Sequence, residues 1–126
     1  MATVTITKEN FADTVKEGTV LLDFWASWCR PCRQFGPIYE KSSEQHTDLT
    51  FGKVDTEDQQ ELTATFGISA IPTLMVFRDG IRVFEQAGAL PSAQLENLIE
   101  QVEALDMDAV RAKVAEMEAV SGSAEA

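Results

Sequence analysis

Residues Val20 to Ala26 read Val-Leu-Leu-Asp-Phe-Trp-Ala, a stretch in which almost every side chain is apolar. A strand half exposed to water alternates apolar with polar residues. One that does not alternate is covered on both faces, which places it at the centre of a sheet with helices on either side. The rest of the chain supplies those partners. Val4 to Ile6 predicts a first strand and Asn10 to Lys16 a helix stopped by Gly18. Cys29 to about His46 predicts a long helix bent at Gly36-Pro37, Thr50 to Asp55 a strand, and Asp58 to Phe66 a short helix ended by Gly67. Thr73 to Phe77 and Ile81 to Glu85 flank Asp79-Gly80, a hairpin turn signal. Pro91 opens a helix whose stripe is Leu95, Leu98, Ile99 and Val102, running to about Leu105. The order βαβαβαββα implies an α/β fold with a mixed sheet sandwiched between helices.

At 126 residues and 44% apolar composition, the chain suits one core. Ten Lys and Arg against twenty-one Asp and Glu give a net charge of −11, which argues against nucleic acid or an anionic membrane as partner. No apolar run is long enough to span a bilayer, and Met1 to Asn10 lacks the layout of a secretory leader, so the expected location is the cytoplasm. Past Leu105, Met107, Val110, Val114 and Met117 recur at helical spacing, and Ser121 to Ala126 offers no anchor and is expected to fray. From Glu100 onward, seven acidic and two basic residues contribute −5 of the total charge.

Cys29 and Cys32 are the only cysteines. A separation of three arises in roughly 2% of random placements, and a structural disulfide is not expected in a reducing cytosol. The pair directly follows the central strand and opens a helix, where unpaired N–H groups and the helix dipole favour an anion. A thiolate there has a lowered pKa, which makes Cys29 the candidate nucleophile. Cys32, one turn further in on the same face, is the candidate resolving thiol, shielded from outside disulfides. Half of a metal site is the competing reading, but His46, about four turns away, is the one further soft ligand, so no metal is expected.

Asp23 is the second unusual residue. A carboxylate inside an apolar strand costs several kcal/mol unless paired or protonated, which raises its pKa. It lies below the helix start, where it suits a proton acceptor for Cys32, directly or through water; the bland alternative is an Asp on an exposed strand edge. Lys53, in the neighbouring predicted strand, either tunes this carboxylate or reaches solvent.

Asp23-Phe24-Trp25-Ala26-Ser27-Trp28-Cys29-Arg30-Pro31-Cys32, with Ile71-Pro72-Thr73, Asp79-Gly80 and Ala87-Gly88-Ala89-Leu90, closely resembles the thioredoxin family over about residues 3 to 105. The resemblance implies a central mixed five-stranded sheet flanked by four helices, leaving 106–126 as an acidic, partly helical extension. It implies reduction of disulfides in cytoplasmic proteins by a monomer with no bound cofactor, its electrons coming from NADPH through a thioredoxin reductase. Cys29 would be the nucleophile, Cys32 the resolving thiol and Asp23 the buried base. Pro72 would follow a cis peptide bond and pack against the cysteines, and the backbone at Ile71 would pair with an extended substrate segment. Trp28, Ile71, Pro72, Gly88 and Ala89 would form the docking surface, with Trp25 supporting the core. Arg30, Pro31, Pro72 and Lys53 would tune the redox couple. Arg30 stands where the family most often has Gly, and its charge should favour the Cys29 thiolate and make the disulfide more oxidising. The extension departs from the family's minimal pattern: a weakly packed fifth helix, a contact with another protein, or a solvated tail. The rival function is a binding or co-chaperone module. An oxidant or isomerase fits poorly with the missing export signal.

Overall fold

The computed structural model describes residues 2–125, with side chains for residues 2–120. Strands β1 (Thr3–Thr5), β2 (Thr19–Trp25), β3 (Thr50–Asp55), β4 (Thr73–Arg78) and β5 (Ile81–Ala87) alternate with helices α1 (Phe11–Val15), α2 (Arg30–Gln45), α3 (Gln60–Thr65), α4 (Ser92–Glu103) and α5 (Met107–Glu125). They form one sheet in the order β1-β3-β2-β4-β5. β3 runs parallel to β1 and β2, while β4 is antiparallel to both β2 and β5. The mixed sheet with a hairpin at one edge is the architecture implied by the element order.

β2 is the middle strand, and its first six residues are buried. Its side chains alternate between two cores. Val20, Leu22 and Phe24 join Ile6, Val15, Val54, Leu62, Met75 and Phe77 on the face covered by α1 and α3. Leu21 joins Phe35 and Tyr39 of α2 and Leu95, Leu98, Ile99 and Val102 of α4 on the other. The period of two puts Asp23 on the second face, beneath α2. Gly52 lets the sheet close: a Cβ there would lie 2.5 Å from Ile6 Cγ1 and 2.9 Å from Leu22 Cδ2, and its carbonyl accepts the Tyr39 hydroxyl at 2.8 Å.

Several boundaries differ from the sequence reading. β1 ends at Thr5, and Ile6 turns its buried side chain inward just past it. α2 is, as expected, a single helix through Pro37, whose exposed ring costs one backbone bond without ending it, but it begins at Arg30 with Cys29 as its cap. α3 begins at Gln60, since Gln59 N–H still bonds back to the Asp55 carbonyl at 2.8 Å in a turn. α5 is a fifth helix, helical in its backbone to Glu125; the expected fraying of Ser121 to Ala126 falls where side chains lie outside the described residues. Arg78 holds the junction before α5, one guanidinium nitrogen donating to the carbonyls of Val102 at 2.8 Å, Glu103 at 3.2 Å and Leu105 at 2.9 Å. Arg78, the last residue of β4, thereby ties that strand to the end of α4, and the charged donor strengthens each bond.

Candidate active site

The turn between β2 and α2 delivers both cysteines. Cys29 is extended, with φ −85° and ψ 113°, and caps α2: the Cys32 N–H donates to its Sγ at 3.3 Å. A cap residue normally offers oxygen, and sulfur in this position serves the same unpaired donor. Pro31 fits the first turn because its missing N–H would have had no partner there. Arg33 braces the turn from one helical turn further on, its backbone N–H bonding the Cys29 carbonyl at 3.1 Å and its guanidinium the Ser27 carbonyl at 3.0 Å.

Cys29 and Cys32 are joined as a disulfide, their Cα atoms 5.2 Å apart. The expected contrast in shielding is not one of overall burial, for the two residues are 5% and 4% exposed. With Ala26 they form a small cluster against which Trp25 and Ile71 pack. The Ile71–Pro72 peptide bond is cis. It brings the Ile71 carbonyl oxygen within 3.7 Å of Cys29 Sγ, just ahead of β4. Gly88, at φ +104° where a side chain would be strained, donates its N–H to the Pro72 carbonyl at 2.8 Å. Ala89 follows it, exposed. Trp28 is 66% exposed, which excludes core packing, and its indole N–H donates to the Glu57 carboxylate. Beside it runs a shallow groove lined by Thr56, Ile68, Ala70 and Ile71. Arg30 and Pro31 are exposed on the rim.

Asp23 has no exposed surface, and neither carboxyl oxygen has a hydrogen-bond partner among the described residues. The exposed-edge alternative is therefore excluded, because β2 has a neighbour on each side. Burial pushes the Asp23 pKa up from 3.8 to about 7, and the Lys53 ammonium partly opposes this. Lys53 pairs with Asp23 across β2 and β3, and its Nζ lies 4.7 Å from the centre of the Trp25 ring. That cation–π contact holds the charge over the sheet face that carries Asp23. Burial also raises the Tyr39 hydroxyl pKa well above its ordinary value, with the Asp23 charge adding to the effect.

The roles of Trp25 and Arg33 were not legible in the sequence. Trp25 touches the cysteine cluster and Lys53 rather than only filling core space. Arg33 sits four residues after Cys29, a spacing that puts it on the same side of the helix and was the available signal. His46 lies elsewhere: its Nε2 is 2.7 Å from Glu96 Oε1, while Ser42 donates to the other oxygen of the same carboxylate at 2.8 Å, tying α2 to α4. Among the described residues no three His, Cys, Asp or Glu side chains gather to hold a metal ion. None of the described helices is long and apolar enough to cross a membrane.

The family model described as "Thioredoxin" matches residues 2–101. The chain is 58% identical over 122 residues to the protein named "Putative thioredoxin 2" from Streptomyces coelicolor, covering 96% of this chain and 91% of the relative. Thioredoxin of Bacillus subtilis is 38% identical over 100 residues, 79% of this chain and 96% of its own. Among solved structures, a point mutant of thioredoxin from Halobacterium salinarum superposes with a TM-score of 0.75 at 34% identity, covering 81% of this chain and 91% of that one. A cysteine pair that caps a helix and closes into a disulfide is what a protein needs to exchange disulfides with others, and the chain belongs to the thioredoxin family of protein-disulfide oxidoreductases.

Proposed function

We propose that the protein reduces disulfide bonds of other proteins in the cytoplasm and is itself re-reduced by NADPH through a thioredoxin reductase, a flavoenzyme. The observation that carries this reading is the disulfide at the start of α2, with the Cys32 N–H aimed at Cys29 Sγ. In the reduced protein the same N–H, the helix dipole and the Arg30 charge stabilise a Cys29 thiolate. That thiolate attacks one sulfur of the substrate disulfide, forming a mixed disulfide and expelling the other sulfur as a thiolate. Cys32 loses its proton to Asp23, attacks Cys29 Sγ and releases the second substrate thiol. Two electrons pass to the substrate and the pair closes. A base for the inner thiol must lie near neutral pH and away from water, and Asp23, raised to about 7 and fully buried, meets both conditions.

Docking falls to Trp28, Ile71, Pro72, Gly88 and Ala89. The backbone at Ile71 offers strand-like pairing to an extended segment, which tolerates many sequences, and Trp28 adds exposed apolar area. Pro31, Pro72 and Lys53 join Arg30 in tuning the couple through helix start, packing and the Asp23 charge. Residues 1–105 form the redox domain and 106–126 an extension, and a single chain carries every group that the exchange requires.

Reduction of a model protein disulfide, driven by NADPH and a thioredoxin reductase, tests the proposal. Wild type turns over, while Cys29→Ser is inactive and Cys32→Ser accumulates as a covalent complex with the substrate. Turnover of wild type no faster than either variant would overturn it in favour of a docking module built on the Trp28 surface.

A further inference from the structure

The first turn of α2 carries charge of the sign that a helix start disfavours. The positive end of the helix dipole stabilises acids there, yet the turn holds no acid, and Arg30 and Arg33 stand in it three residues apart. Like charges at that spacing repel, in a chain with twenty-one acids. Cations elsewhere are paired: Lys8 with Glu61, Lys16 with Asp13, Arg82 with Glu85 and Arg111 with Asp108. Arg30 is exposed, and among the described residues it has neither an ion pair nor a hydrogen bond. Arg33 directs one guanidinium nitrogen to the neutral Ser27 carbonyl at 3.0 Å, which fixes the group without cancelling its charge.

A helical Cα–Cβ bond tilts toward the N-terminus, so a long side chain reaches back over the turn before it. Arg33 does so, since Ser27 lies six residues earlier, just ahead of Trp28 and Cys29. Arg30, at the first helical position, adjoins Cys29 directly. On the Trp28 side the charge is reversed: Glu57 accepts the indole N–H, and Asp58 follows it in the chain. Cys29 thus has a cationic flank on α2 and an acidic one by Trp28. The arginines have a local anion in one redox state alone. A thiolate at Cys29 lies beside them in the reduced protein, whereas in the disulfide, and in a mixed disulfide with a substrate, that sulfur is neutral.

We infer that Arg30 and Arg33 recognise an acidic side chain next to the cysteine under attack, so that the favoured substrates are protein disulfides with Glu or Asp beside a cysteine on the α2 side of the cleft. The inference rests on the reductase reading above and names the substrates that this activity prefers. As the Cys29 thiolate attacks, its negative charge passes to the expelled substrate sulfur, and the substrate carboxylate takes its place beside the two guanidiniums. The contact therefore supports the mixed disulfide, where the arginines have lost the thiolate. Arginine suits the task because its planar fork can bind a carboxylate through two parallel N–H bonds. The chain's net charge of −11 opposes an acidic partner at long range. At physiological salt, screening over about 8 Å leaves the contacts at the cleft to decide.

Single-turnover reduction of synthetic peptides by the pre-reduced full chain, at about 0.15 M salt, tests this. Each peptide closes one internal disulfide and carries Glu, Gln or Lys next to both cysteines, before them in one series and after them in the other. Every rate constant is divided by that of dithiothreitol with the same peptide, which removes the peptides' own differences in reactivity. In one series the rates should fall in the order Glu, Gln, Lys, with Glu ahead of Lys by about threefold to tenfold, the size expected of two exposed charge contacts. Arg30→Gln/Arg33→Gln should bring that ratio to one or below. The ratio is the readout because a weaker thiolate changes the rates of all peptides alike. A wild-type ratio of one or less in both series, or a ratio that the double variant retains, overturns the inference and leaves the reductase reading standing. Failure to reduce any of the peptides overturns both.

Discussion

Replacing Asp23 by Ala should free the protein from a proton that the wild type must hold, at the cost of some packing. In the unfolded chain this carboxyl ionises near 3.8; in the folded protein burial holds the value at about 7. Below pH 3.8 both states are protonated and the group contributes nothing to the pH dependence. Between 3.8 and 7 the unfolded chain releases the proton and the folded one keeps it, so wild-type stability falls by about 1.4 kcal/mol for each pH unit. Above 7 both states are ionised and the loss is constant, about 4 kcal/mol for a shift of some three units. Asp23→Ala removes this dependence and adds a cavity cost that does not vary with pH. Urea unfolding of the oxidised forms from pH 4 to pH 9 gives the stability of each, and the other titrating groups cancel in the difference. Variant minus wild type should climb by about 4 kcal/mol and level off above pH 7. A difference that stays flat within about 1 kcal/mol over that range would refute the reasoning, since Asp23 would then ionise as easily folded as unfolded.

Three further outcomes follow from neighbouring residues. Lys53→Met removes the charge opposing burial, so Asp23 should titrate above 7 and the levelling point in the same unfolding series should move upward; an unchanged or lower point would exclude Lys53 as the tuner. Gly52→Ala forces a Cβ into Ile6 and Leu22 and should cost about 1–3 kcal/mol in urea unfolding, so a neutral result would mean that β1 and β2 yield without strain. Arg30→Gly should make the Cys29–Cys32 couple more reducing by at most a few tens of millivolts against glutathione, because the guanidinium is exposed and screened; an equal or more oxidising variant would contradict its role.

The central strand was readable because apolar side chains on both faces leave one place for it in a sheet, and the hairpin because Asp79-Gly80 supplies the two positive φ values that its turn uses. The end of β1 was less accessible: Ile6 looks like strand by its branching, yet its buried side chain lies one residue past the pairing. The unusual character of Asp23 followed from its apolar neighbours alone. Its partnership with Lys53 depends on the register of β2 against β3, a long-range fact that neither strand encodes by itself. The cis bond before Pro72 was likewise invisible in the residues and came from likeness to a family. Arg33 was passed over and Trp25 assigned only to core support, because a charged residue on a helix and an aromatic residue in a strand each have an ordinary explanation, and only the fold shows what they touch beside the cysteines.

Disulfide exchange by this chain depends on which sulfur is held as an anion at the start of α2. Alkylation of the reduced protein across a pH series, with each modified cysteine identified by mass, measures this directly. Cys29 should react first and along a titration curve centred near or below neutrality, with Cys32 following only at higher pH. Cys29 ionising near 8.5 like a thiol in an open peptide, or Cys32 reacting ahead of it, would contradict the account.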